Sequence, residues 1–149
     1  MEAGEFHKLA EHLVCRRGPA DCRSAVSRAY YAALLYCRDE LGKAGVPDIY
    51  ENSDTHNRVA TALLISGNSK YKEVGALLSD LHGQRIRADY HLDKKETEGY
   101  ETARSLVEDA GEILSEMKSF SSDPERNTIV SEIIRVTAKT KRKRPTRPK

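Results

Sequence analysis

Two arginines, a carboxylate, a phenol and an imidazole fall within one short stretch, Arg85, Arg87, Asp89, Tyr90 and His91 of RIRADYH. These groups suit phosphodiester chemistry. A guanidinium can hold non-bridging phosphate oxygens bidentately and stabilise charge that develops in the transition state. An imidazole, with an ordinary pKa of about 6.5, can take or give a proton near neutrality. In RNA the 2′-hydroxyl is an internal nucleophile, so such a site requires no metal. His82, one turn before Arg85, can line the same face.

Spacing decides which groups can cooperate. At about 100° per residue, Arg85 and His91 on one continuous helix would point roughly 120° apart. They converge only if the helix ends or bends near Asp89 or Tyr90. Arg87 and His91 would share a face if it ran on. The apolar stripe Tyr71, Val74, Leu78 and Leu81 continues onto Arg85 and Ala88, so a guanidinium is aimed where a leucine belongs. Burying it without a partner costs several kcal/mol. Asp89, a second subunit or an anionic ligand must meet it. Arg85 and Asp89 can also form an ordinary i,i+4 ion pair, worth about 0.3–0.5 kcal/mol if exposed. Spacing alone favours that structural role over a catalytic one.

The elements around this stretch read as helices. A first spans roughly residues 2–17, with Phe6, Leu9, Leu13 and Val14 inward, and Gly18-Pro19 breaks it. A second covers about 21–43, with Val26, Tyr30, Ala33, Leu34, Cys37 and Leu41 inward. Its SRAYYAALL segment alternates small and aromatic side chains, which lets a neighbouring backbone approach. Ser53 or Asp54 caps a third helix through about Ile65, with His56 in its first turn. The fourth runs over about 70–89. Asp93 to Glu96 resembles a capping box and starts a fifth helix reaching about Phe120. Asp123 and Pro124 begin a short sixth.

The expected fold is all-α: an up-and-down bundle of four to five helices over 1–122, a short C-terminal helix over 123–138, and a basic, disordered tail over 139–149. The 149 residues suit one domain. The formal net charge of +2 conceals a split, because residues 136–149 hold seven Lys or Arg and no acid. Lys141, Arg142, Lys143 and Arg144 are candidates for nucleic-acid contact, which salt would weaken steeply. The alternative is a tail that only keeps the chain soluble. No apolar run is long enough to span a membrane, and the cytoplasm is the expected compartment. Cys15, Cys22 and Cys37 match no zinc spacing and read as reduced thiols. His7 and His12 read as solvent-facing. No metal or cofactor is expected.

The combination of Arg28-Ala29-Tyr30-Tyr31-Ala32, His56 at a helix start, and Arg85-Ile86-Arg87-Ala88-Asp89-Tyr90 followed by His91 resembles the HEPN (higher eukaryotes and prokaryotes nucleotide-binding) family. It looks most like the small stand-alone prokaryotic members, over about residues 5–120. The resemblance implies a helical bundle that dimerises, and for many members a metal-independent ribonuclease, often a toxin or defence effector. Its signature is an Arg followed after four to six residues by a His. Carried over, Arg85 is the phosphate and transition-state ligand and His91 the proton-transfer residue, with Asp89, Tyr90, Arg87 and His82 in support. Some toxin members carry a tyrosine two residues after the His, where a nucleotidyltransferase antitoxin modifies it. Here that position is Asp93. Relatives without the His imply the alternative function, a non-catalytic nucleotide- or partner-binding module working with a nucleotidyltransferase.

Overall fold

The computed structural model describes residues 1–51 and 53–143. Six α-helices follow one another: α1 Ala3–Val14, α2 Pro19–Lys43, α3 Thr55–Leu64, α4 Ser69–Tyr90, α5 Tyr100–Lys118 and α6 Arg126–Lys143. Single 3-10 turns at Glu96–Glu98 and Phe120–Ser122 flank α5. The described residues include no strand, and the all-α helical bundle expected from the periodicity is the observed fold. None of these helices is long and apolar enough to cross a membrane.

The long α2 is the hub, packed against α1, α4 and α5, while α3 lies on α4. Its inward set matches the periodic reading, with Val26, Tyr30, Ala33, Leu34, Cys37 and Leu41 all buried. Ala25, Ala29 and Ala32 are buried as well. These small side chains let helices close on several sides of α2 at once. The bulk comes from Tyr30, Tyr71, Phe120, Leu41, Leu63, Leu78, Leu81, Ile113, Met117 and Ile133, each large side chain contributing about 1.5–3 kcal/mol on burial. Leu9, expected inward, is 44% exposed, because Ala10 and Val14 are the buried contacts of α1.

Local signals explain most boundaries. Arg17 at φ 61° turns the chain out of α1, and Pro19 sits in the first turn of α2, where it gives up no hydrogen bond. The Asn68 side chain caps α4, accepting from the Lys70 and Tyr71 amides. The side-chain cap expected from Ser53 or Asp54 does not form: Asp54 holds the N-cap position of α3 at φ 62°, but its carboxylate accepts from the Asn57 side chain and not from a backbone amide. Asp123 accepts from the Glu125 amide and, at 2.7 Å, from the buried Tyr71 hydroxyl, which pins the start of α6 to α4.

The start of α5 overturns the capping-box expectation. Asp93 is exposed and lies in a turn, and the helix begins seven residues later, at Tyr100. The cause is Arg23 on α2, only 8% exposed. Its guanidinium donates to the carbonyls of Arg87, Ala88, His91, Leu92 and Lys94, at 2.6–3.4 Å. It also meets Glu98 Oε1 at 2.9 and 3.0 Å. The last carbonyls of a helix have no internal partner. Arg23 reaches two of those of α4, Arg87 and Ala88, from the side and gathers residues 91–98 around itself.

The sixth helix is longer than expected. It runs to Lys143, so residues 139–143 are helical where a flexible tail was anticipated. Ile129, Val130 and Ile133 are buried, while Ile134 is 42% exposed. Residues 144–149, with Arg144, lie outside the described region.

A close approach between α3 and α4 carries a stability prediction. A Cβ added at Gly75 would stand 3.1 Å from the Leu64 backbone nitrogen and 3.0 Å from the Leu63 Cβ. Backbone cannot swing aside, so overpacking of about 1–3 kcal/mol opposes the gain of about 1 kcal/mol in helix propensity. Gly75→Ala is expected to lower the urea midpoint with an unchanged m-value.

Candidate functional site

Arg85 enters the structure as the one charged residue in the buried stripe of α4. It is 8% exposed. Its Nη2 donates to the Tyr31 hydroxyl of α2, and its Nε lies 3.2 Å from Asp89 Oδ2. That ion pair is poorly aligned, since the buried Nε–H has no hydrogen-bond acceptor. Ser27 of α2 donates to the same carboxylate oxygen at 3.1 Å. The guanidinium carbon is 5.0 Å from the Tyr31 ring centroid, 5.6 Å from Tyr90 and 5.8 Å from Tyr30. Burial works against the charge, but the Tyr31 hydroxyl and Asp89 outweigh it and hold the guanidinium above its ordinary value.

Two imidazoles complete the cluster. His82 precedes Arg85 by one turn of α4, and His56 comes from the first turn of α3. Their rings are nearly parallel, 9° apart, with centroids separated by 4.7 Å. The Tyr30 ring lies 5.2 Å from His82 and 5.5 Å from His56. The Tyr30 hydroxyl bonds to His56 Nδ1, and burial keeps this phenol protonated far beyond neutrality. Burial first, and then Arg85, depresses His56, with Asp54 acting weakly the other way. Burial, His56 and Arg85 together depress His82. Both imidazoles are half-buried and neutral near pH 7.

These depressed values give a pH signature. The unfolded chain binds protons at both imidazoles more readily than the folded one does, so their effect on stability is nil above about pH 6.5. Stability falls as pH drops below that value towards the folded-state values. The thermal midpoint is expected to decline as pH falls below about 6.5, and to decline less in His82→Gln. An identical slope in that variant would contradict the assignment.

The residues singled out from the sequence separate into groups. Arg85, Asp89, Tyr90 and His82 come together around the guanidinium. Arg87 is exposed and enters the structure through its carbonyl, on Arg23. His91 is the exposed C-cap of α4. The helix ends at Tyr90, but the His91 side chain makes no hydrogen bond, ion pair or ring contact with Arg85 within the chain, and its carbonyl faces Arg23. Lys141 pairs with Asp48 at 3.0 Å, while Arg142 and Lys143 are exposed on the last turn of α6. His7 departs from expectation: its Nε2 meets the Val107 carbonyl at 2.9 Å. Cys15, Cys22 and Cys37 are free thiols. Among the described residues no group of His, Cys, Asp and Glu is placed to hold a metal ion.

Three participants escaped the sequence reading. Tyr31 adjoins Tyr30, which the periodicity placed inward, and a buried Arg85 demanded a partner from the facing helix. His56 entered the sequence reading only as a helix-start residue of the family resemblance, with no role in the site. Arg23 left no signal, because its acceptors are backbone carbonyls remote in sequence. Comparison of the chain with protein-family models, curated proteins and solved structures returns no match.

Proposed function

We propose that this protein is a metal-independent endoribonuclease of the HEPN type, working as a homodimer. Arg85 holds the scissile phosphate and stabilises its transition-state charge, and His91 transfers a proton. The observation that carries this reading is the placement of Arg85, a buried guanidinium with two neutral imidazoles beside it. Such a cation, held in place of a leucine, is costly for the fold and useful to a phosphate. His91 lies on the exposed surface at the end of α4, where the same residue of a second copy can approach the Arg85 of the first. A toxin role with a nucleotidyltransferase antitoxin belongs to the same reading, as does RNA contact by Arg142 and Lys143.

The experiment is incubation of the purified chain with total RNA in EDTA, followed by end-group analysis. New 2′,3′-cyclic phosphate ends are expected, lost in His91→Ala. Ends that persist undiminished in that variant remove His91 from the mechanism, and their absence with the unaltered protein overturns the ribonuclease reading.

A second reading has its own support. Tyr31 and Asp89 already satisfy much of Arg85, as in a module that binds nucleotides or a nucleotidyltransferase without cleaving RNA. There Arg85→Ala changes stability or partner binding, and His91→Ala changes nothing.

A further inference from the structure

The signature pair provides one imidazole per chain, whereas cleavage through the 2′-hydroxyl needs both a proton acceptor and a proton donor. We infer that Arg85, His56 and His82 form a recess for a phosphate ester in which His82 accepts the 2′-hydroxyl proton. The inference rests on the ribonuclease reading and extends it to two residues outside the Arg–His signature.

Hydrogen bonding assigns the roles. Tyr30 is 1% exposed, and its hydroxyl has His56 Nδ1 as its hydrogen-bond partner among the described residues. A buried hydroxyl left without an acceptor is costly, so Tyr30 donates and neutral His56 carries its proton on Nε2. That N–H has no acceptor among the described residues and is not sealed from solvent. It is a donor for a non-bridging oxygen. The His82 nitrogens likewise have no partner among the described residues and are not sealed, so His82 has a free lone pair. Arg85 Nη1 is also without a hydrogen bond among the described residues and is not sealed from solvent. His56, His82 and Arg85, on two helices, thus each leave a polar position unpartnered among the described residues while all three lie within 5.8 Å of the Tyr30 ring centroid.

The step balances without a co-reactant. The O2′–H proton passes to His82, O2′ bonds to phosphorus, and the P–O5′ bond breaks. The leaving oxygen takes a proton from the His91 of the second copy, the proton-transfer residue of the signature, giving a 2′,3′-cyclic phosphate and a 5′-hydroxyl. The titratable and charged groups that face His82 are Tyr30 of α2, His56 of α3 and Arg85 on its own helix. The nearby guanidinium and the parallel His56 ring both oppose a resting positive charge on His82.

The test is the pH–rate profile of RNA cleavage in EDTA for the full chain, for His82→Gln and for His12→Gln, an exposed histidine on α1. His82→Gln is expected to lower kcat on the order of 100-fold with KM changed less than about threefold, and to abolish the rising limb below about pH 6.5. His12→Gln leaves the profile unchanged. Retention of that limb in His82→Gln, with kcat within about twofold, overturns the inference while the ribonuclease reading stands. Titration of the unaltered protein with inorganic phosphate, followed by side-chain NMR of the imidazoles, covers a variant that fails to fold. The His56 and His82 resonances are expected to shift together, and not in Arg85→Gln. Shifts without any RNA cleavage mean that the ribonuclease reading fails and the proton-transfer role with it. Unmoved resonances overturn the recess itself.

Discussion

Arg23→Ala lowers the unfolding free energy by about 3–5 kcal/mol, the range for breaking a buried charge network by removing one partner. At roughly 2–4 °C per kcal/mol for a chain of this size, the thermal midpoint falls by roughly 6–20 °C. The loss has two parts. The carbonyls of Ala88, Leu92 and Lys94 lose the guanidinium, those of Arg87 and His91 keep only the backbone donors His91 and Lys94, and the Glu98 carboxylate, 21% exposed, is left with Lys95 alone at 3.7 Å. Arg23→Lys keeps a charge but not the planar fork that reaches both α4 and Glu98. It is expected to recover only a minority of the difference. Calorimetry of the three proteins decides it. A midpoint within about 2 °C of the parent in Arg23→Ala would mean that the 91–98 segment is held by other contacts.

Arg85→Leu is expected to separate function from stability. The substituted leucine continues the stripe of Tyr71, Val74, Leu78 and Leu81, all at most 4% exposed. Replacing a buried ion pair by packed apolar side chains is often neutral or stabilising. Here Asp89 is exposed and keeps its bond from Ser27, so the carboxylate is not stranded. The variant is therefore expected to melt no lower than the parent. RNA cleavage is expected to fall about 10²–10³-fold, as when a preorganised donor to a developing anion is removed. Arg85→Ala loses the same activity and also stability, because it leaves a cavity beside Tyr31 and Ala88.

Much of the bundle was legible from periodicity. The stripe of α2 and that of α4, including Arg85 and Ala88, are buried as the helical spacing requires. What escaped depends on contacts between distant segments. Asp93 had a sound local cap signal, but Arg23 claims the carbonyls around it and delays α5 to Tyr100. Local preference of roughly 1 kcal/mol yields to a buried guanidinium with six acceptor groups. Leu9 was placed inward because periodicity cannot tell which edge of an apolar face a small residue such as Ala10 will claim. The site was legible in half. The arginine in a leucine's place announced Arg85, and the i,i+4 spacing announced Asp89. Tyr31 and His56 shared only the family resemblance with Arg85, and their contacts with it appeared once α2, α3 and α4 were packed.

Under the proposed function, the buried guanidinium of α4 serves a phosphate and not the fold. Parallel measurement of thermal midpoint and EDTA-resistant RNA cleavage in Arg85→Leu tests it most directly. An unchanged or raised midpoint is expected, together with the loss of 2′,3′-cyclic phosphate ends. A variant that melts well below the parent, or one that cleaves RNA as the parent does, would contradict it.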